Sequence, residues 1–347
     1  MNISDIKNKT GIRLAAAVIA AVAFWSCDSV IYDEEGDCSV HYRVPVSYTR
    51  NILSSDALAS EVTSVSLYLF DRQGKLAYKT TSPVSDIVAA GGTVPVDVAP
   101  GTYDIIAWGH GQSDIDGARS FVFANADSPS SVADLGCRLP AADDASGISQ
   151  TDLHRLYHGM SAGVEFPDTY GTVNVHNVDM MKDTNVIRVM LQHYRHEELD
   201  KNDFHFAIYD DNSVLAHDNS VISGSPAVYR EWAKRSAETS SDGTEARDGI
   251  TAVSTVIAEL TTSRLVTSTR PVLHVTRSDG SDVLRLPLND LLVLGKGEHQ
   301  QHLTDQDFLD RQDRYVLVFL LDDDYSWYSR MGLYVNGWHV VYQESEV

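Results

Sequence analysis

Apolar residues recur at every second position through much of this 347-residue chain, in short runs stopped by turn-forming residues. A period of two is the repeat of a β-strand, whose side chains point alternately to opposite faces. Val40, Tyr42, Val44 and Val46 alternate with His41, Arg43, Pro45 and Ser47. Pro45 has no N–H to give to a ladder, which predicts that this strand lies at an edge or carries a bulge. Val65, Leu67 and Leu69 open a stronger strand, turned at 71–74 and returning over 75–80. Val94, Val96 and Val98 lead through a turn at 99–102 into an apolar strand over 103–108. Strands are also predicted near 173–175, 185–192, 204–209, 253–260, 272–277, 283–286 and 315–321. Asp-Gly at 279–280 and Asn-Gly at 336–337 mark hairpins. One short helix is predicted over 305–312, and loops over 112–149 and 236–248. Many short strands with regular turn signals predict an all-β chain of sandwiches. A break in the pattern at 160–172 predicts two in tandem, 38–165 and 166–347.

Composition supports a real core: 43% of residues are hydrophobic and 22% charged. The net charge of −22 argues against nucleic acid as a partner and against a basic lipid-binding patch.

The N-terminus reads as an export signal. Lys7, Lys9 and Arg13 precede an uncharged apolar run over 14–25. That run is shorter than the roughly 20 residues a bilayer-spanning helix needs, and it suits the apolar part of a secretory signal. Ser26-Cys27 then resembles a lipobox, which predicts removal of residues 1–26 and acylation of Cys27. Residues 27–37 follow as an acidic tether. Ten extended residues reach about 33–36 Å. With Cys27 lipidated, Cys38 and Cys137 remain. Two readings stand for them: a disulfide, which an exported protein permits, or two buried thiols acting as small hydrophobes.

No constellation predicts catalysis, a cofactor or a metal. His193 and His196 close a strand with a spacing that separates them on opposite faces. His154 and His158 could share a helix face but lack a third ligand nearby, and His299 and His302 sit in a polar loop. Asp322, Asp323 and Asp324 read as a solvated turn, since adjacent carboxylates do not converge on calcium without a glycine turn and further ligands. Trp108, Trp327 and Trp338 read as core aromatics in preference to a sugar-stacking platform.

The block from Ser26-Cys27 through Asp28-Ser29-Val30-Ile31-Tyr32-Asp33 to Cys38-Ser39-Val40-His41-Tyr42 resembles the start of fimbrillin-type anchor lipoproteins, the FimB-like accessory subunits of Bacteroidota fimbriae. Pro100-Gly101-Thr102-Tyr103, Leu156-Tyr157-His158-Gly159 and Val335-Asn336-Gly337-Trp338 fit the same family. The resemblance implies two transthyretin-like β-sandwiches, a lipid anchor in the outer membrane, no enzymatic activity, and fimbrillin-type pilin subunits as partners. It also implies assembly by strand complementation, in which an open sheet edge takes a neighbour's strand. Proteases of such systems can cut after Arg, and Arg50 is the available position just past the first strand. An anchor keeps that strand and begins at Cys27; a stalk or tip pilin would begin at Asn51. A surface lipoprotein binding glycan or protein through exposed aromatics is the alternative from another class.

Overall fold

A computed structural model describes residues 39–114, 120–123, 125–140, 147–240 and 252–340. Residues 41–168 with 172–347 make one compact unit. In the other unit, the Gly171 N–H donates to the Ser39 carbonyl at 3.0 Å.

The first half contains β1 (Val40–Arg50), α1 (Leu58–Glu61), β2 (Ser64–Phe70), β3 (Leu76–Pro83), α2 (Val84–Ala89), β4 (Thr93–Val96) and β5 (Gly101–His110). Short strands follow: β6 (Val122–Phe123), β7 (Cys137–Arg138) and β8 (Ile148–Ser149). Then come β9 (Leu156–Phe166), β10 (Gly171–Asn174) and β11 (Val178–Lys182). The second half contains β12 (Thr184–His193), β13 (Phe204–Asp210), β14 (Val214–Leu215), β15 (Ala227–Arg230), β16 (Ala233–Ser240) and β17 (Ala252–Ser263). It continues with β18 (Val272–Arg277), β19 (Asp282–Pro287), α3 (Leu288–Val293), α4 (Asp305–Arg311), β20 (Arg314–Leu321), β21 (Leu333–Val335) and β22 (Trp338–Val340). The chain is all-β, as its alternation predicts.

Eight strands form the first sheet, in the order β10-β1-β11-β9-β5-β2-β3 with β4 paired to β1. Its middle strands are apolar on both faces because both faces are covered. Leu67, Leu69, Ile105 and Ala107 are fully buried, and so are their neighbours Phe70 and Ile106, with Tyr68 and Trp108 nearly so. The second set, Tyr68, Phe70, Ile106 and Trp108, joins one core with residues of the second half such as Ile187, Phe206 and Leu317.

The second half places a six-stranded sheet, β16-β17-β12-β20-β21-β22, with a five-stranded sheet, β19-β18-β13-β15-β8. Alternate residues of each, among them Val189, Leu191, Phe204, Ile208, Val275 and Phe319, share that core. Strands cross between the two stretches of sequence. β10 and β11 complete the first sheet, whereas β8 pairs parallel with β15 and β7 pairs with β14.

Several local expectations meet a different outcome. The polar loop expected from residue 236 is strand as far as Ser240, because β16 finds a full antiparallel partner in β17. Residues 154–158 form no helix; His158 lies within β9. The helix expected over 305–312 is α4, with Thr304 as N-cap accepting from the Asp307 N–H at 3.1 Å.

Candidate functional site at the first strand

The sequence gives β1 an apolar face, and the fold buries it: Tyr42, Val44, Val46 and Tyr48 are each no more than 3% exposed. Tyr42 packs edge-on against Phe166, and Tyr48 edge-on against Tyr157. The strand has three partners, β10, β4 and β11. Residues 42–45 pair antiparallel with β4, and residues 46–50 pair parallel with β11. Pro45 sits at the handover, where a missing N–H disturbs neither ladder most. The strand is not an edge, but its pairing with β11 shifts register between Ser47 and Arg50, an irregularity of the kind that the Pro45 expectation allowed.

Side chains secure what the divided ladders leave loose. Asp179 of β11 accepts from the Thr49 N–H at 2.7 Å, the Thr49 hydroxyl at 2.6 Å and the Ser47 hydroxyl at 3.1 Å. Asp56 accepts from the backbone N–H groups of Tyr48 and Leu58, each at 3.0 Å. Asn51 donates to the carbonyls of Tyr48 at 2.9 Å and Ser55 at 2.6 Å.

Arg50 ends the strand beside α4. Its guanidinium lies 3.9 Å from Asp310, and Arg311 donates to the Asn51 carbonyl at 3.4 Å. Asp310 is gripped in turn by two 3.0 Å hydrogen bonds from Arg264. Lys182 reaches Glu61 and Asp313, each at 2.5 Å. Next to it Asp183 is fully buried, accepting from the Asn219 amide at 2.8 Å. Burial pushes its carboxyl up to about 7 against the pull of Arg264. The C-terminal end of β1 is thus fastened to residues of the second half by charge.

The remaining predicted residues are placed as follows. Cys27 and Cys38 lie outside the described residues. Cys137 is a buried thiol in β7, and burial raises its pKa; its pairing with Cys38 falls outside the described residues. Trp108 is core, as read; Trp338 is 60% exposed on the edge hairpin and Trp327 is partly buried, so the three form no platform. His158 is buried against Trp108, its Nε2 2.9 Å from the His217 carbonyl, and desolvation lowers it to about 4. His299 and His302 are exposed. His193 and His196 part as expected, but His193 is fully buried, contrary to a solvated strand end. The structure brings it to Glu197 and Asp323, with carboxylate oxygens at 3.9 Å from Nε2. The signal for this was parity: Ile187, Val189 and Leu191 face the core, and His193 continues their series. Among the described residues no helix is long and apolar enough to cross a membrane.

Several solved structures are similar to this chain. A candidate adhesin from Bacteroides thetaiotaomicron is similar at 26% identity and TM-score 0.74, covering 89% of this chain and 99% of that one. A candidate polysaccharide-binding protein from the same organism has 24% identity and TM-score 0.70, covering 88% and 99%. The fimbrial anchor protein Mfa2 of Porphyromonas gingivalis shares the fold at 17% identity and TM-score 0.59, covering 88% and 99%. No curated protein matches. The chain belongs to the family described as fimbrillin-A associated anchor proteins Mfa1 and Mfa2, which matches residues 34–344. Membership makes it a fimbrial accessory protein of the cell envelope, as the resemblance implied.

Proposed function

We propose that this protein is a non-enzymatic anchor subunit, held in the outer membrane by an acylated Cys27, that terminates or attaches a fimbrillin polymer through β-strand complementation. The observation that carries this reading is the fastening of β1. A stalk pilin must give up its first strand to open a groove for the next subunit. Here that strand buries four side chains, and its end is tied to Asp179, Asp56 and Asp310. Arg50, the available cleavage position, is 42% exposed but engaged with Asp310, and the following Asn51 is 7% exposed. An anchor also has reason to keep its strand, because excision there would discard the lipid and the acidic tether with it. The division into two sandwiches, expected at 38–165 and 166–347, belongs to the same proposal with its boundary moved to about residue 183, because β10 and β11 complete the first sheet.

Fractionation with intact-mass analysis tests both parts. The mature species from native envelopes begins at Cys27 with added acyl mass, and Cys27→Ser moves the protein from the membrane fraction to the soluble one. A dominant species beginning at Asn51 would replace the anchor reading with that of a stalk or tip pilin. Unchanged membrane partitioning of the Cys27→Ser variant would remove the lipid anchor.

A further inference from the structure

We propose that His193, Glu197 and Asp323 form a binding site for a divalent transition-metal ion of the zinc class. Two parallel neighbouring strands create it. β12 and β20 run side by side in register, with His193 opposite Leu321. Parallel strands deliver their C-terminal ends to the same edge of the sheet, so the segments after His193 and after Leu321 emerge together. Tyr315, Leu317, Phe319 and Leu321 are the core-facing series of β20, and Asp323 has the same parity two residues beyond. His193 and Asp323 are therefore the polar continuations of two adjacent apolar rows. Glu197 returns to them through a turn in which the His196 N–H donates to the His193 carbonyl at 2.9 Å.

The donor atoms of the three residues all lie within 4.8 Å of one another. His193 has 0% side-chain exposure, and its Nε2 makes no hydrogen bond although it points between two carboxylates. A buried polar nitrogen without a partner is uncommon in a well-formed sandwich. The carboxylates are half exposed, at 51% each. Tetrahedral ligands at Zn–N and Zn–O distances of about 2.0–2.1 Å stand roughly 3.4 Å apart. The 3.9 Å separations therefore close by about half an ångström of carboxylate movement.

The surroundings orient the ligands. Asp323 Oδ2 accepts from the Tyr194 hydroxyl at 3.1 Å and lies 3.2 Å from Arg195, which leaves Oδ1 facing His193. The Tyr325 hydroxyl donates to Glu197 at 3.4 Å. Partners of this kind fix ligand direction at metal sites. The Arg195 backbone N–H donates to His193 Nδ1 at 3.3 Å, which puts the ring proton of the neutral imidazole on Nε2. A bound ion takes the Nε2 lone pair and the proton moves to Nδ1, at the cost of that one long hydrogen bond. An imidazole with two carboxylates suits zinc-class ions, whereas calcium prefers all-oxygen sites. Three protein donors leave a coordination position open to water or to a donor from outside the chain.

The test uses the full mature chain, stripped with chelator, titrated with Zn²⁺ by calorimetry and with Co²⁺ by visible absorbance. One equivalent binds and Co²⁺ develops a tetrahedral spectrum. Glu197→Gln and Asp323→Asn, both at exposed positions that leave the core intact, each weaken binding tenfold or more, and His193→Asn abolishes the Co²⁺ spectrum. Absence of stoichiometric binding, wild-type affinity in both carboxylate variants, or uptake of Ca²⁺ in preference to Zn²⁺ would each overturn the proposal.

Discussion

β1 and β12 look alike on paper. β12 takes one antiparallel and one parallel neighbour, β1 pairs with β4, β10 and β11, and each turns alternate residues into a core. Their attachment differs. β12 has both ladders along almost its whole length, from Thr184 opposite Ser263 to His193 opposite Leu321. β1 pairs with β4 and β10 over its first half and with β11 over its second, where Asp179, Asp56 and aromatic contacts add to the ladder. Backbone hydrogen bonds position both strands, and side chains reinforce the end of the first. The first strand is consequently the one whose retention mutation can tune, and it is also the one that a single cut at its end would free.

The strongest way to break the comparison is to remove β1. A chain beginning at Asn51 loses four buried side chains, each contributing about 1.5–3 kcal/mol, against a net stability of about 5–15 kcal/mol for an ordinary domain. That chain is expected to lose cooperative unfolding and to regain it when a peptide spanning 38–50 is supplied. Wild-type urea unfolding of the truncated chain would show the strand to be dispensable.

A milder change sharpens the contrast. Asp179→Ala removes three hydrogen bonds to β1 and is expected to cost about 1.5–3 kcal/mol, the range for bonds to charged groups. On β12, Gln192→Ala removes one neutral side-chain bond, to Thr255, and is expected to cost about 0.5–1.5 kcal/mol. Chemical denaturation ranks the pair, and the reverse order would mean that β1 is held chiefly by its ladders.

A further effect lies at the entrance to β12 and depends on pH. The folded Asp183 carboxyl titrates near 7, above the roughly 3.9 of an unfolded aspartate. The folded state therefore holds this proton more tightly, so the contribution is complete below about pH 4 and is lost as pH rises toward 7. Asp183→Asn carries no such proton. Its stability relative to wild type should rise between pH 4 and 7, by something on the order of 1–3 kcal/mol. Parallel stability–pH profiles for the two proteins would assign the titration elsewhere.

Much of this architecture was legible in the sequence, for identifiable reasons. β2 announced itself through alternation, and β5 and β20 through short, nearly continuous apolar runs. The turns at Gly74, Gly280 and Asn336-Gly337 adopt the left-handed conformations their residues favour. The handover at Pro45 was half legible: a proline marks disturbed pairing but does not say that three partners share the strand. The polar tract at 236–240 did not look like a strand because its order comes from β17, a partner some twenty residues away in sequence. The cluster at His193 escaped notice because its members come from two segments about 130 residues apart, joined only by the parallel pairing of β12 with β20. Strand parity places His193 on the inner face, yet no local spacing brings the exposed Glu197 and Asp323 to it.

The two-sided burial of β2 and β5 has a mechanical consequence. Domains joined by a small polar contact flex against each other by default, whereas a large apolar junction suppresses the motion. Tyr68, Phe70, Ile106 and Trp108 belong to the core shared with the second half, so bending one half away from the other would wet that face. Bending at this junction is therefore resisted by the apolar surface that it would expose.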